Sequence, residues 1–262
     1  MARHDNRDSK QNSRRESFDQ LEGRNPVLEA LQRGRRPVLR IRVDQRAKPE
    51  RRLDRIIDLA RQQGVPVKPV PRQDLDRISV TGAHNGVIAE ASPLPSTSVA
   101  QVIKKALEEG RHPFLVFADE LSYEHNLGAV LRSALGAGAD ALVVPTRRSR
   151  GMSPVVARVA MGAAEEVPII REGLQSALKI CQRAGVRIIG ADMGGTPYYT
   201  ADLTGPLALV MGGESKGLSS AIHKRCDQVV SVPLSGNLES LNVSVTAGVL
   251  MFERARQIAT QG

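Results

Sequence analysis

Cysteine is scarce in this chain: Cys181 and Cys226 are the two in 262 residues. Neither belongs to a CxxC pair or stands at ligand spacing from a histidine, which excludes a disulfide framework and a zinc site, and both are read as packed thiols. No metal is implied. Long apolar runs are missing too. Nothing approaches the roughly 18 consecutive apolar residues of a membrane span. The opening "MARHDNRDSKQNSRRESFDQ" has no apolar segment to act as an export signal, so the chain is expected in the cytoplasm. Phosphate-binding fingerprints are absent as well. "GADMGGT" (190–196) lacks GxGxxG spacing, and in "VMGGESKGLS" (210–219) Lys216 precedes the glycine, the wrong order for a P-loop.

What the chain does have is positive charge, unevenly placed. Its net charge of +9 points to a polyanionic partner such as nucleic acid. Residues 1–95 hold 20 Lys/Arg against 13 Asp/Glu, a net of +7, whereas 96–262 hold 17 against 15, a net of +2. One module gripping a phosphate backbone while another does different work accounts for that split; a generic solvated basic surface is the bland alternative. At 41% hydrophobic, 262 residues suffice for two modest domains with real cores.

Residues 1–20 carry too few apolar side chains to offset the entropy of ordering and are expected to form a flexible basic tail. From 21 to 91 the pattern predicts a small α/β domain. Its helices are "NPVLEALQRG", "ERRLDRIIDLARQQG" and "RQDLDRIS"; its strands are "VLRIRV" (38–43), "VPVKPV" and "GVIAEAS". "SPLPSTS" (92–98) reads as a linker. From 99 to 262 helices alternate with apolar strands at 114–118, 141–145, 167–170, 186–191, 207–212 and 229–233, the pattern of a parallel sheet covered on both faces. Such sheets bind ligands beyond the carboxyl ends of their strands, which directs attention to loops 119–127, 146–153, 212–218 and 233–242.

In "YEHNLGAVLRSALGAG" (123–138), Leu127, Val130, Leu131, Ala134 and Leu135 form a helical stripe, with Asn126 at the N-cap and Arg132 off the stripe. "TRRSRGMSP" (146–154) offers Arg147, Arg148 and Arg150 to phosphates. "VMGGESKGLS" packs Gly212, Gly213 and Gly217 around Glu214, whose charge suits a cationic or hydroxyl-bearing ligand better than a phosphate. In "VSVPLSGNLESLNVSVTAGVLMFERARQ" (230–257), Ser240, Leu241 and Asn242 stand before a helix whose first turns use poor helix formers. Either Ser240 caps that helix, with Asn242 at an orphan-donor position, or the helix mouth touches a ligand.

Together these loops resemble the three motifs of the SpoU (TrmH) family of RNA ribose 2′-O-methyltransferases, in the SPOUT superfamily. Asn126, Gly128 and Arg132 match the first motif, and Gly212, Glu214 and Gly217 the second. Pro233, followed by Ser240, Leu241, Asn242, Val243 and Ser244, matches the third. The stretch from "GRNPVLEAL" to "GAHNGVIAEASP" resembles the substrate-binding domain of bacterial 23S rRNA (guanosine-2′-O-)methyltransferases, a module similar to RNA-binding ribosomal proteins. One departure is Tyr123-Glu124-His125, where the family often has Asp-Pro shortly before the first-motif Asn.

The resemblance implies a C-terminal α/β SPOUT domain over 99–262 with a deep trefoil knot. It implies S-adenosylmethionine held by backbone groups at Gly212, Val232, Leu234 and Leu241, and a homodimer formed through the C-terminal domains. The implied reaction is methylation of a ribose 2′-hydroxyl in structured RNA, with 23S rRNA favoured by the N-terminal domain, and the implied catalytic residues are Arg132, Asn126, Glu214 and Asn242. A guanidinium is a poor base at neutral pH, so Arg132 either is locally deprotonated or stays charged and orients the hydroxyl and the phosphate. Val245, Val249 and Phe252 in the last helix are read either as part of the dimer interface or as intrachain core. Residues 99–262 alone are expected to bind the cofactor. Other readings replace 23S rRNA with tRNA or with a ribosomal drug site in a resistance-type enzyme; the non-enzymatic one is an RNA-binding, ribosome-associated protein.

Overall fold

The computed structural model describes residues 18–119, 121, 123–146, 152–213, 217–236 and 240–261. Among these, ten strands form two sheets. The N-terminal domain runs β1 (Asp19–Glu22), α1 (Arg24–Arg33), β2 (Val38–Asp44), α2 (Arg51–Gln62), β3 (Val67–Val70), α3 (Arg72–Ile78) and β4 (Val87–Ala91). Its strand order is β1-β4-β2-β3, with β2 and β3 parallel and β4 antiparallel to both its neighbours. Val27 and Leu31 of α1 and Leu53 and Ile56 of α2 bury one face, and Leu75 of α3 buries the other.

The strand β1 corrects the reading of 1–20 as tail. Leu21 is its fully buried apolar anchor, and its polar members are taken up by specific partners. Asp19 pairs with Arg36 at 2.5 Å, and the Gln20 amide donates to the Ile78 carbonyl at 2.9 Å. Hydrophobic periodicity cannot detect a strand held this way. The rest of the expected tail, 1–17, lies outside the described residues.

The C-terminal domain runs α4 (Val99–Glu108), β5 (Phe114–Ala118), α5 (Glu124–Gly136), β6 (Ala141–Val144), α6 (Pro154–Val159), a 3₁₀ turn (Ala163–Glu165) and β7 (Ile169–Arg171). There follow α7 (Leu174–Arg183), β8 (Arg187–Pro197), β9 (Leu207–Met211), α8 (Ser220–His223), β10 (Gln228–Ser231) and α9 (Val243–Gln261). The strand order is β10-β8-β9-β5-β6-β7, all parallel. Side chains alternate across β5 as the pleat requires. Phe114, Val116 and Ala118 pack with α5 and α9, while Leu115 and Phe117 pack with α4 and α7. Ser98, the last linker residue, caps α4 in a reciprocal box with Gln101. Strand β8 runs well past the expected end at 191. Its extension "DMGGTP" lacks an apolar run, and Gly195 lets β10 approach: a Cβ there would lie 2.5 Å from the Val230 backbone.

Both cysteines are packed thiols, as expected. Burial pushes the Cys181 thiol up to about 12 and the Cys226 thiol to about 11, so both stay protonated.

The two domains are firmly docked. Helix α6 lies between α5 on one side and β1 and α1 on the other. Val156 belongs to the larger core and its neighbour Ala157 to the N-terminal one. Arg36, whose side chain is fully buried, pairs with the buried Glu165 of the 3₁₀ turn as well as with Asp19. Arg35 donates to the Glu165 and Glu166 carbonyls at 3.0 and 2.7 Å. At Gly162 an added Cβ would run into the side chain of Glu29 on α1.

Candidate functional site

At the carboxyl ends of β9 and β10, and beside residues 191–193 in the middle of β8, lies a cavity of about 430 Å³, a size suited to a small-molecule cofactor. Met211, Val230, Val243 and Leu250 supply apolar lining, and Asp192, Ser240 and Thr246 the polar side chains. Gly212, Val232, Leu234 and Leu241, the four positions expected to hold a cofactor, all line it, although they come from three separate stretches of chain.

Backbone pairing shapes one wall. Gly213 and Gly217 exchange N–H to carbonyl bonds of 2.9 and 3.0 Å; Glu214, between them in sequence, lies outside the described residues. Gly212 must be a glycine, because a Cβ there would sit 2.6 Å from the Gly217 carbonyl carbon. Gly217 is left-handed at φ 60° and abuts the Asp192 carboxylate. That carboxylate accepts from the Leu218 N–H at 3.0 Å and the Met193 N–H at 2.7 Å, so it fixes the turn and also places negative charge at the cavity wall. A cavity lined by apolar side chains, with Asp192 the one carboxylate among its described residues, fits a ligand that combines an apolar ring with a cationic centre.

Capping is done by Asn242, not Ser240. The Asn242 side-chain oxygen accepts from the Ser244 N–H at 2.9 Å and from the Ser244 hydroxyl at 2.6 Å, and its amide donates to the Asn126 side-chain oxygen at 3.2 Å. Ser240 is left to line the cavity. Asn126 in turn is not an N-cap. It is the third residue of α5, which begins at Glu124 after Tyr123, and its side chain is directed to α9 instead. The Asn126–Asn242 bond therefore joins the first and third motifs. Gly128 serves packing: a Cβ would lie 2.7 Å from Val159 Cβ, so α5 and α6 can cross this closely only at glycine.

Arg132 is placed elsewhere. It is exposed and lines a second recess of about 680 Å³ between the two domains, together with His125 and Arg158. The opposite wall carries Arg24, Arg52, Arg72 and Asn85 of the N-terminal domain. Arg147, Arg148 and Arg150, the expected phosphate contacts, lie outside the described residues. Next to the cleft residue Gly23, Glu22 is fully buried and ties β1 to the segment after α3, accepting from the Ser79 hydroxyl at 2.7 Å, the Val80 N–H at 2.6 Å and the Thr81 N–H at 3.0 Å. Burial alone would raise the Glu22 carboxyl, but the hydrogen bonds, led by that of the Thr81 hydroxyl, outweigh it and hold the group at about 2.

Two parts of the site escaped the sequence reading. Asp192 follows the apolar part of β8, and its stretch drew attention only as a failed nucleotide fingerprint; its signal was a carboxylate directly after an apolar run. The cleft arginines gave no local signal, since residues from 24 to 158 meet only through domain docking.

The family model described as "RNA 2′-O ribose methyltransferase substrate binding" matches residues 20–97, and that of the "SpoU rRNA Methylase family" matches residues 113–252. A putative TrmH family tRNA/rRNA methyltransferase of Bacillus subtilis is 34% identical over 244 residues, covering 92% of this chain and 97% of that protein. An uncharacterized tRNA/rRNA methyltransferase of Mycolicibacterium vanbaalenii is 38% identical over 237 residues, covering 90% of this chain and 75% of that one. The fold is shared with the SpoU methyltransferase AviRb of Streptomyces viridochromogenes, crystallised in complex with AdoMet, at a TM-score of 0.78 and 24% identity over 93% of this chain and 91% of that one. On the two family matches and these relatives, the chain is a methyltransferase of the SpoU family.

Proposed function

We propose that this chain methylates a ribose 2′-hydroxyl of 23S rRNA with S-adenosylmethionine, working in the cytoplasm as a homodimer of knotted C-terminal domains. The observation that carries the reading is the convergence of Gly212, Val232, Leu234 and Leu241 on one cavity, whose edge the Asn126–Asn242 bond ties to the first motif. Bound there, S-adenosylmethionine supplies an electrophilic methyl group on a sulfonium centre. The chain supplies shape and charge. Backbone groups at Gly212, Val232, Leu234 and Leu241 hold the cofactor, and Asp192 complements its positive charge. Arg132 stays cationic and orients the hydroxyl and its phosphate, with Asn126, Asn242 and Glu214 fixing the guanidinium and the ribose by hydrogen bonds. Arg147, Arg148 and Arg150 take flanking phosphates.

The choice of RNA is supported by the substrate-binding match over 20–97 and by the basic surplus of the first third. Dimerisation is supported by α9, whose core side is Val243, Ala247, Leu250 and Met251, whereas Val245 and Phe252 are each 50% exposed. The relatives' naming as tRNA/rRNA methyltransferases keeps tRNA as the second reading. Incubating the protein with methyl-labelled S-adenosylmethionine and, separately, 23S rRNA and tRNA decides between them. The expected product is a labelled 23S rRNA in which one linkage resists alkaline hydrolysis. Label on tRNA alone overturns the rRNA assignment, and label on bases overturns ribose chemistry.

A further inference from the structure

We propose that the cleft between the two domains of a single chain seats the RNA backbone beside the modified ribose, Arg52 and Arg72 of one domain and Arg132 and Arg158 of the other holding its phosphates. The inference rests on the RNA methyltransferase reading and adds where, and between which walls, the strand lies.

Charge is the first observation. Among the described residues five arginines line the cleft against one acid, Glu50, which is already paired with Arg24. Among the described residues Arg52 and Arg132 have no hydrogen-bond or ion-pair partner, and both are exposed. Arg72 meets Asp44 only at 3.6 Å with 62% of its side chain exposed, a pair that a phosphate readily replaces. Arg158, which also lines the cleft, has its Nε shut from solvent with no acceptor among the described residues.

Backbone strain is the second observation, independent of charge. Among the described residues two non-glycines have positive φ, Asn85 at 48° and Met161 at 54°, and both line this cleft. Asparagine tolerates that region; methionine does not, and such strain persists where a binding surface needs it. Met161 is 44% exposed and, with Val159 and Pro26, gives the cleft an apolar surface beside its cations. Phosphate beside ribose and base demands that combination, and a free inorganic anion does not.

Rigidity is the third. The Arg36–Glu165 pair and the Arg35 bonds to the Glu165 and Glu166 carbonyls set the spacing of the two walls before any strand arrives. A preset cleft binds with less ordering cost than one assembled by a loose linker.

The test is made on the full-length protein with in vitro transcribed 23S rRNA, comparing two variants of equal charge. Arg52→Gln/Arg72→Gln removes two cleft cations, while Arg51→Gln/Arg55→Gln removes two from α2 outside the cleft. Filter binding between 50 and 300 mM KCl gives affinity and salt slope, and calorimetry with S-adenosylmethionine reports that the C-terminal domain is intact. The cleft variant is expected to lose at least tenfold in RNA affinity and about 1.4 in the slope of log K against log salt, two single-strand phosphates at about 0.7 each. It should also raise the KM for RNA, while the control pair loses much less. Equal losses in the two variants overturn the cleft and leave general charge attraction. A wild-type protein that binds RNA but methylates none overturns the functional reading alone, and one that binds no RNA overturns both.

Discussion

The described walls of the cavity at β8, β9 and β10 come from one domain and carry one carboxylate among apolar side chains and glycines. The cleft takes its walls from both domains and is lined by five arginines. Backbone shape makes the first, so it is fixed by which positions can be glycine. Side-chain charge makes the second, so it is fixed by how two domains dock. A small cofactor and a long polyanion thus call for different construction within one chain, and the two recesses should respond to different perturbations.

Acid is expected to give the largest separation. Glu22 ties β1 to the 79–81 segment of the N-terminal domain with its carboxyl at about 2, against 4.5 for an ordinary glutamate. Because its folded-state pKa is depressed, its contribution is complete above pH 4.5 and is lost as pH falls from there toward 2, up to about 3 kcal/mol. Urea unfolding at pH 7 and pH 3 should show that loss, and Glu22→Gln should be weaker at pH 7 and flatter with pH. An unchanged pH dependence in the variant would remove Glu22 from the account.

Arg132→Ala comes next. A rate loss of at least roughly 100-fold is expected, with cofactor affinity unchanged and stability within about 0.5 kcal/mol, since the residue lines the cleft and not the cavity. Arg132→Lys sharpens it: substantial rescue with a new pH dependence identifies a base, and no rescue identifies an orienting guanidinium. Methylation at the wild-type rate by the alanine variant would end the proposed role.

Gly212→Ala should act on the other recess by a smaller amount. The added methyl meets the 217–218 backbone, an overpacking expected to weaken S-adenosylmethionine binding about tenfold by calorimetry while RNA affinity holds. Equal weakening of both ligands would mean that the recesses are not separable.

Most of this was legible where chemistry is local. The parallel sheet announced itself through apolar runs such as "FLVFA", which is β5 residue for residue, and loops after strands marked where a ligand sits, while the cofactor positions within them came from the family resemblance. What failed did so for tertiary reasons. Asn126 looked like a cap because asparagine precedes an apolar stripe, but α5 starts two residues earlier and α9 claims the side chain. Ser240 lost the cap to Asn242 because the helix starts at Val243, two residues later than a cap at Ser240 requires. Strand β1 and the tail of β8 are held by ion pairs, glycine and close backbone approach, none of which has a hydrophobic period.

Helix α6 carries a consequence for how the chain comes apart. Pro154–Val159 is contiguous with the methyltransferase fold, yet Ala157 is buried among N-terminal side chains while Val156, one residue earlier, is buried in the opposite direction. Cutting at the linker 92–98 would therefore strip one flank of a helix that also supports α5 through the Gly128 crossing. The unit that melts cooperatively is larger than the module a linker delimits. In hydrogen exchange, the amides of α6 should open at the free energy of the N-terminal domain, and an isolated 99–262 fragment should show α6 exchanging freely and Arg132 riding on a loosened helix, even while the cavity at the far edge of the sheet still closes around its cofactor.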